Sequence, residues 1–500
     1  METLSLFLKD EAATMQLGED LALSLRTGDC LALAGDLGTG KSTLARALIR
    51  TIAGDDGLEV PSPTFTLVQS YDLRIPVFHF DLYRIGHPSE LFELGFDEAI
   101  TEGICLFEWP EKAQDLMPRD SIWISLEQEG TGRRADISGP ATALARISRT
   151  LDIRSFLHTH GYAGARRQHL AGDASARSYE KIHHGTGPAV ILMDSPQATP
   201  GPILQDGKYY QQLAHIAENV VPFVAIASYL RQRGLAVPAV YIADYGSGLL
   251  LIEDLGSDSI LDEAGQPDVE RYEESVLCLA KLHATPLERE ISIDAGIVHT
   301  IPDFDRTAMQ IETQLLIDWY LPWKRGEAAT TAERTEYTAI WHGLIDRLSG
   351  SEKNLLLRDF HSPNIIWRGD RTGTDRIGII DFQDAMIGPT AYDVVSLTQD
   401  ARVTVEPSLR HRLLAAYVSG RERTGEFDRA AFMQDWHIMS AQRNCKLVGL
   451  WVRLMQRDGK PTYMKHLPRT FSYLETALEH EALAPLRVWC IQAGILSSES

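Results

Sequence analysis

The sequence has few cysteines, and none of them lies at the spacing of a metal or redox pair. Among 500 residues the five cysteines are far apart and form no C-x-x-C motif: Cys30, Cys105, Cys278, Cys445 and Cys490. We therefore expect buried thiols in a reducing compartment.

Long apolar runs and an excess of positive charge are also missing. No apolar run reaches the ~18 residues that cross a bilayer, and the N-terminal segment with Lys9 and Asp10 lacks a signal-peptide core. The formal charge is −21, with 13 basic and 24 acidic residues in 1–150 and 35 and 45 in the rest. Nucleic-acid binding relies on basic surface. We expect a cytoplasmic chain without membrane contact or direct nucleic-acid binding, although a local patch at Arg133 and Arg134 stays open.

What is present is a phosphate-binding motif, G-x-x-x-x-G-K-[ST], at residues 35–42. A short apolar run at 30–34 predicts a strand before it, and apolar spacing from residue 44 predicts a helix after it. Glycines let backbone N–H groups surround a phosphate, and the helix N-terminus favours the anion. We expect a nucleotide on this loop, with Lys41 on the β- and γ-phosphates and Ser42 on Mg²⁺. The predicted nucleotide-binding residues are Gly35, Gly38, Thr39, Gly40, Lys41, Ser42 and Thr43.

Two later strands of this region end in an acid. Residues 77–81 end at Asp81, where a Mg²⁺ ligand belongs, and residues 104–108 end at Glu108, which is placed to orient an attacking water. Between the loop and these strands, Pro61 and Pro63 predict a stiff extended segment. Its hydroxyls Thr64 and Thr66 either face the nucleotide or belong to an ordinary strand edge.

The motifs GDLGTGKST, SPTFTLV, HFDLYR and CLFEWPEK, in this order, resemble the TsaE family over nearly all of residues 1–140. These proteins are the small ATPase subunits of the bacterial machinery that makes N6-threonylcarbamoyladenosine in tRNA. The resemblance implies that Lys41 and Ser42 bind ATP and Mg²⁺, that Asp81 binds Mg²⁺, and that Glu108 supports hydrolysis beside Trp109. It also implies partner proteins that carry out the tRNA chemistry.

A second domain is expected after residue 145, because a chain of this length rarely forms one domain. Residues 138–140 close the first domain and residues 150–157 predict a new amphipathic helix, with no long linker between them. We expect an α/β P-loop NTPase domain over 1–145 and an α+β bilobal, protein-kinase-like domain over 150–500. The smaller lobe would span about 150–255 and the larger about 256–500.

The chemistry of the second domain is concentrated in two segments. Asp359 is followed five residues later by Asn364, and Asp381 ends the apolar strand from residue 377. Phosphoryl transfer to a hydroxyl needs a base for the acceptor and ligands for the metal on ATP. This arrangement, R-D-x-x-x-x-N followed by I-D-F, predicts Asp359 as the catalytic base and Asn364 and Asp381 as Mg²⁺ ligands.

Two residues usual in kinases are absent. Leu357 stands where an H-x-D motif has histidine, and Met193 stands where the strand at 189–194 would carry the ATP lysine. Lys181 and Lys208 are candidates for that lysine. Residues 170–177 are a candidate loop over the phosphates, and His283 is expected to be a packed structural histidine.

Residues 165–480 resemble the aminoglycoside-phosphotransferase-like kinases, and within them the anomeric sugar kinases of peptidoglycan recycling. The motifs that match are LAGDASARSY, ILMDSP, LIEDLG, LLRDFHSPNIIW, IDFQDA and GPTAYDVVSL. The resemblance implies phosphorylation of C1 of N-acetylmuramate or N-acetylglucosamine, with Asp393 anchoring the catalytic loop. Arg443 is a candidate partner for the N-acetylmuramate carboxylate, and Trp319 and Tyr320 would either stack on a sugar or pack in the core.

The first hypothesis is a fusion of two ATP-using enzymes that act with Mg²⁺: a TsaE-like ATPase and an amino-sugar kinase. One alternative makes the first domain a nucleotide-dependent binding module with negligible turnover. Another makes the second domain a kinase for a different hydroxyl compound, such as an aminoglycoside, choline or a protein side chain.

Overall fold

The computed structural model describes residues 3–87, 90–170, 177–197, 201, 203–205 and 207–497. The chain divides into two compact units, Met1–Leu192 and Met193–Ser500. This division falls inside the strand Val190–Asp194. The first unit therefore extends past residue 145, and the domain boundary there stays a prediction.

The first unit alternates strands and helices along most of its length. Its elements are β1 (Thr3–Leu8), α1 (Glu11–Ser24), β2 (Cys30–Ala34), α2 (Lys41–Ala53), β3 (Val68–Tyr71), β4 (Val77–Asp81), α3 (Glu90–Glu93), α4 (Phe96–Glu102), β5 (Ile104–Glu108), β6 (Ile122–Glu129), β7 (Gly132–Ser138), α5 (Ala141–Thr159), β8 (Arg166–Leu170) and β9 (Ser178–His183), and β10 (Val190–Asp194) crosses into the second unit.

The main sheet of the first unit has the strand order β1-β7-β6-β2-β5-β4-β3. Strand β2 is parallel to both of its neighbours, and β4 is parallel to β5 with Asp81 beside Glu108 in register. The carboxyl ends of β2, β4 and β5 therefore meet at one edge of the sheet. Ligands of open α/β sheets bind at such an edge, so the topology places the motif after β2 together with the two predicted acids.

Apolar residues cover both faces of this sheet, because its parallel strands carry apolar side chains on both sides. Leu31, Leu33 and Leu106 pack with α1 and α2 in one core cluster, whereas Cys105 and Phe107 pack on the opposite face with α4. All five cysteines of the chain are free and buried, as predicted.

The helix predictions for this unit were right in kind and wrong at one boundary. Asp10 caps α1 by accepting a hydrogen bond from the N–H of Ala13 at 2.8 Å. The helix predicted at 150–157 exists, but α5 begins at Ala141. Pro140 directly precedes this helix. Proline lacks an N–H and therefore suits the start of a helix.

The second unit is mainly helical. Its elements are β11 (Ile203–Gln205), β12 (Lys208–Tyr209), α6 (Tyr210–Leu213), α7 (Val221–Gln232), β13 (Val240–Asp244), β14 (Leu249–Glu253), α8 (Val269–Ala284), β15 (Glu290–Ser292), β16 (Val298–Thr300), α9 (Arg306–Leu315), α10 (Leu321–Arg325), α11 (Thr331–Arg347), β17 (Lys353–Leu356), β18 (Ile365–Trp367), β19 (Ile377–Ile379), β20 (Met386–Pro389), α12 (Ala391–Thr398), α13 (Pro407–Thr424), α14 (Arg429–Gln456), α15 (Leu467–Leu478) and α16 (Ala484–Gln492), with a π-helical turn at Leu316–Tyr320.

Two short pairs of antiparallel strands flank the predicted catalytic segments of the second unit. Strand β17 pairs with β20, and β18 pairs with β19. The first pairing places the segment that follows Leu356 next to α12, and the second holds residues 364 and 380 together through a backbone hydrogen bond of 3.0 Å from the N–H of Ile380 to the carbonyl of Asn364.

Helix α14 is the central helix of the second unit and packs against α9, α12 and α15. It is buried along most of its length, including polar residues such as Gln442 and Asn444. None of the described helices combines the length and the apolar composition that crossing a membrane would need.

Helix α14 approaches the backbone of Leu315 so closely at Gly449 that we expect this position to be sensitive to substitution. A Cβ at Gly449 would lie 2.1 Å from the carbonyl carbon and oxygen of Leu315. We expect Gly449→Ala to lower the free energy of unfolding by about 1–3 kcal/mol or more, because the two backbones must separate. Urea denaturation of the full chain, followed by tryptophan fluorescence, measures this change.

Gly343, in the middle of α11, is the matched control. A Cβ there meets no atom of the described residues within 4 Å, so Gly343→Ala should raise the free energy of unfolding by about 0.5–1 kcal/mol through helix propensity. Equal effects of the two substitutions would contradict the packing described for α14.

Candidate active sites

The predicted phosphate-binding loop of the first unit runs from the end of β2 to the start of α2. Gly40, the residue before α2, has φ +103°, and a Cβ there would lie 2.2 Å from Nη1 of Arg133. Gly35 has φ +136° and lies against the carbonyl oxygen of Leu126. Only glycine fits these two positions, so the sequence motif is a requirement of the backbone path.

Lys41 lies inside this loop. Its Nζ donates to the carbonyl oxygens of Gly35 (2.6 Å) and Asp36 (2.9 Å) and stands 3.8 Å from the centre of the Trp109 ring. Burial lowers the pKa of Lys41, and the carboxylate of Glu108 opposes this effect. The ammonium group is therefore held at the loop by carbonyl groups and a ring face.

Glu108 joins the loop to the neighbouring strand. Its Oε2 accepts a hydrogen bond of 2.9 Å from Oγ of Ser42, and its Oε1 lies 2.9 Å from Nε2 of His79. Both Glu108 and His79 are buried. Both carboxylate oxygens of Glu108, the predicted catalytic residue, therefore have a close partner. One of these partners is Ser42, the predicted Mg²⁺ ligand.

Asp81 contacts the proline-containing segment. One carboxylate oxygen accepts hydrogen bonds from the hydroxyls of Ser62 (3.0 Å) and Thr64 (2.9 Å), and the other accepts from the N–H of Tyr83. Thr64 therefore faces the predicted metal ligand, whereas Thr66 lies exposed in a turn before β3.

The predicted catalytic loop of the second unit, the segment that carries Asp359, has an unusual backbone. Arg358 has φ +65°, in the left-handed region that residues with a side chain rarely adopt. The buried carboxylate of Asp393 accepts hydrogen bonds from the N–H groups of Leu357 (2.6 Å) and Arg358 (2.9 Å). This pair of hydrogen bonds holds the bend that presents Asp359, so Asp393 anchors the loop as the resemblance implied.

The three predicted residues of the second unit lie together. Nδ2 of Asn364 donates to the backbone carbonyl of Asp359 at 3.0 Å and lies 3.3 Å from Oδ2 of Asp381. Gln383 donates to the other oxygen of Asp381 at 2.8 Å, and Asp381 has φ +59°. Strained backbone of this kind is common at functional sites.

Buried cations lie behind Asp359. Nη1 of Arg443 lies 3.8 Å from its carboxylate and donates to the carbonyl of Arg358 at 3.1 Å. Burial alone would raise the pKa of Asp359, but the positive charges of Lys446, Arg443 and Arg358 lower it to about 2. Asp359 is therefore a weak proton acceptor that stays ionised, and it is better suited to orient a hydroxyl than to remove its proton early.

Two of these cations, Arg358 and Lys446, are paired with one buried acid. Glu312, fully buried in α9, pairs with Nη2 of Arg358, with Nζ of Lys446 at 2.7 Å and with Nε2 of Gln442 at 3.0 Å. The burial of Glu312 is offset chiefly by Lys446 and Arg358, which lower its pKa to about 2. A buried charge that lost these partners would be strongly destabilising.

The oxygen donors of both sites fit a magnesium ion that arrives with ATP. Among the described residues no group of three or more His, Cys, Asp or Glu side chains is placed to hold a metal by itself. Magnesium usually takes one or two carboxylates and completes its shell with water and phosphate oxygens. Asp381 with Asn364, and Ser42 with Asp81, supply ligands of that number and type.

Burial decides three further predictions made from the sequence. Arg443 is buried and bonded to the catalytic loop, so it is not exposed for a substrate carboxylate. Tyr320 is buried against Phe471, in the core rather than on a sugar. His283 is buried with Nδ1 2.8 Å from the Tyr417 hydroxyl, a packing role as predicted.

Two predictions about ATP binding in the second domain stay open. The proposed phosphate loop at 170–177 falls mostly outside the described residues. Lys181 lies in β9 and Lys208 in β12, and both stay candidates for the ATP lysine.

Sequence reasoning missed His79, Glu312 and Lys446. A weak signal existed for the last of these, since Gln442 and Lys446 are four residues apart and so lie on one face of α14. Nothing in the sequence indicates that Glu312 faces them, because α9 and α14 are more than a hundred residues apart.

The N-terminal region matches a known family. The sequence model for "Threonylcarbamoyl adenosine biosynthesis protein TsaE" matches residues 8–135. The chain is 38% identical over 144 residues to the tRNA threonylcarbamoyladenosine biosynthesis protein TsaE of Haemophilus influenzae, covering 27% of this chain and 90% of that protein. The corresponding protein of Rickettsia felis is 39% identical over 123 residues, which is 24% of this chain and 71% of that protein.

The rest of the chain matches a second family. The model for "Phosphotransferase enzyme family" matches residues 167–427. The N-acetylmuramate/N-acetylglucosamine kinase of Caulobacter vibrioides is 33% identical over 345 residues, covering 67% of this chain and 94% of that protein. The Pseudomonas putida protein of the same name is 28% identical over 314 residues, 62% of this chain and 82% of that protein.

The cations behind Asp359 predict a change in pH dependence. Because the depressed pKa keeps this carboxylate ionised far below neutral pH, removing one cation should raise its pKa by about one unit or more. We expect Arg443→Met to lose phosphotransferase activity progressively, relative to the unaltered chain, as the pH falls from about 5 to about 3, because a pKa raised by about one unit from about 2 still leaves Asp359 ionised at neutral pH. The measurement is kcat/KM at fixed Mg²⁺ and ATP over this range.

Arg443→Lys, which keeps the positive charge, is the control and should follow the unaltered chain more closely. A ratio of activities that is constant with pH in both variants would show that Arg443 does not set the ionisation of Asp359.

Proposed function

Because the chain belongs to the phosphotransferase enzyme family and, in its N-terminal region, to the TsaE family, we propose that it is a bifunctional ATP-using enzyme. The first activity is that of the ATPase subunit for N6-threonylcarbamoyladenosine formation in tRNA. The second is ATP-dependent phosphorylation of the anomeric hydroxyl of N-acetylmuramate or N-acetylglucosamine. We place the P-loop NTPase domain before residue 145 and the bilobal kinase domain after 150, between the family matches that end at 135 and begin at 167.

The observation that supports the kinase proposal is that Asn364 hydrogen-bonds both the backbone carbonyl of Asp359 and the carboxylate of Asp381. Asp359 would accept the hydrogen bond of the sugar O1–H and align its oxygen with the γ-phosphorus. The O1–P bond then forms, the bond to the ADP oxygen breaks, and the hydroxyl proton passes to Asp359. An anomeric hydroxyl is more acidic than an ordinary alcohol, which suits an orienting carboxylate with a low pKa.

Asp381 and the carboxamide oxygen of Asn364 would hold Mg²⁺, which neutralises charge on the ATP phosphates. Gln383 keeps the Asp381 carboxylate oriented, and the strand pairing of β18 with β19 keeps Asn364 beside it. The buried ion pairs of Glu312 with Arg358 and Lys446 connect the loop that carries Arg358 to α9 and α14.

In the first domain, Lys41 and the loop N–H groups would bind the ATP phosphates, and Ser42 and Asp81 would hold Mg²⁺. Glu108 would orient the attacking water, with His79 fixing its second oxygen. The acidic surface of this domain argues for partner proteins, rather than this chain, as the contact to tRNA. The free, buried cysteines favour the cytoplasm as the compartment.

The acceptor is tested by offering the purified full chain a panel of N-acetylmuramate, N-acetylglucosamine, unacetylated sugars, choline and aminoglycosides with Mg²⁺ and ATP. We expect a phosphate on C1 of the N-acetylated sugars, identified by ³¹P and ¹H NMR. Transfer to another hydroxyl, or to choline or an aminoglycoside alone, would overturn the assignment of the acceptor.

Two substitutions test whether the sites act separately. Asp359→Asn keeps the side-chain shape and should reduce sugar phosphorylation by about 10²-fold or more, because the neutral amide orients the hydroxyl poorly. It should leave nucleotide binding at the P-loop intact. Lys41→Ala should have the opposite effects, and each variant is the control for the other when both activities are assayed.

The role of the first domain is tested by ATP hydrolysis of the Asp359→Asn chain, with and without the tRNA-modification proteins. Turnover that rises in their presence and is lost in Glu108→Gln is expected of an ATPase subunit. Binding without turnover under both conditions would instead make the domain a nucleotide-dependent binding module.

A further inference from the structure

A cluster of buried charges outside both sites connects elements of the two family regions within the first unit. Arg167 lies in β8, at the start of the segment matched by the phosphotransferase family, and its side chain has no exposed area. Asp20 lies in α1, inside the TsaE match, and its side chain is 3% exposed. Their closest atoms are 2.6 Å apart.

Every nitrogen of the Arg167 guanidinium donates a hydrogen bond. Nε and Nη2 bind the two oxygens of Glu180 in β9 at 2.7 and 2.8 Å, and Nη1 binds Oδ1 of Asp20 and the carbonyl of Thr150 in α5 at 3.0 Å. The backbone N–H of Arg167 donates to Oε1 of Glu19. One side chain thus joins both strands of the hairpin β8–β9 to α1 and α5.

A second arginine completes the cluster. Nε of Arg154, in α5, donates to Asp20 at 3.0 Å, and its Nη2 donates to Glu19 at 2.5 Å. Its Nη1 binds the carbonyl of Ala165, directly before β8, at 2.7 Å. The two arginines face three carboxylates, so each buried charge is compensated only while α1, α5 and the hairpin stay together.

Helix α1 is itself fixed to the helix of the phosphate loop. A Cβ at Gly18 would lie 2.7 Å from the carbonyl oxygen of Leu44 and 2.9 Å from Cβ of Ala47, both in α2. Backbones that approach this closely cannot move independently without losing their contact. A continuous packed path therefore runs from α2, through α1, to the hairpin β8–β9.

We propose that the P-loop domain has a second role, as a structural part of the kinase: α1, through Glu19 and Asp20, is the surface on which the first hairpin of the phosphotransferase region is held. The hairpin is not held by its own region alone, since its central arginine uses a carboxylate and a carbonyl from α1 and α5. Phosphotransferase activity then depends on residues of the TsaE-like domain that touch neither active site.

The test uses the full chain with Asp20→Asn, Arg167→Met and the double variant. Asp20→Asn leaves Arg167 with one buried carboxylate fewer and should speed amide hydrogen exchange in Ser178–His183. It should also lower kcat/KM for ATP of the sugar phosphorylation by about tenfold or more, since misplacement far from the chemistry is costly. The double variant should be little worse than the worse single one, because the two residues act as a pair.

Arg166→Met is the matched control. Arg166 is the neighbour of Arg167 on β8, and it pairs with Asp56 of the P-loop domain at 3.3 Å, but these side chains are 42% and 70% exposed. Exposed pairs contribute little, so Arg166→Met should change neither the exchange nor the kinetics. Asp20→Glu, which keeps a carboxylate, should recover part of the loss.

Two results would overturn the proposal. Unchanged exchange in β9 on Asp20→Asn would mean that α1 does not hold the hairpin. Faster exchange with unchanged kinetics, measured well below the unfolding temperature, would mean that the contact is structural without serving the kinase. The exchange experiment does not use the sugar reaction, so a wrong acceptor in the proposed function is detected separately.

Discussion

Compensation of buried positive charge organises both units of this protein. Arg167 in the first unit and Arg358 in the second are each almost fully removed from water, and each is paired with a carboxylate from a different element. An ionised guanidinium cannot escape the cost of burial by losing its proton, so its partners must be present in the folded chain. Each arginine and the elements that carry its partners are thereby held together, and in the second unit this fixes the predicted catalytic loop, which carries Arg358, to α9.

The two proposed sites solve the problem of binding ATP in different ways. In the first unit, the backbone of the predicted loop would surround the phosphate, and Gly35 and Gly40 occupy conformations there that other residues avoid. In the second unit, side chains would act: Asp359 follows β17, Asn364 and Asp381 flank the pair β18–β19, and the left-handed backbone at Arg358 is maintained by Asp393. The low pKa of Asp359 depends on Lys446 and Arg443, two cations of α14. The buried centre of that helix is correspondingly polar.

Much of the fold follows from local patterns. Strands β2, β4 and β5 were predicted from short apolar runs that end in a glycine loop or an acid, and the structure has them at these residues. The start of α5 was misjudged because Pro140 suits a helix start as well as a domain end. Contacts of the candidate sites were harder to foresee. The motif HFDLYR contains His79, but the sequence does not indicate a role for it. Its contact with Glu108 forms only because β4 and β5 lie side by side.

The sequence alone was sufficient to identify the P-loop motif and the spacing of Asp359 and Asn364, and to predict two ATP sites. Those features are local, because each requires only a few neighbouring residues with defined backbone or side-chain chemistry. The pairing of Arg167 with Asp20, and of Arg358 with Glu312, depends on segments 147 and 46 residues apart. Only the folded chain brings such segments together, because the free energy that favours these pairs exists only once water has been excluded from around them.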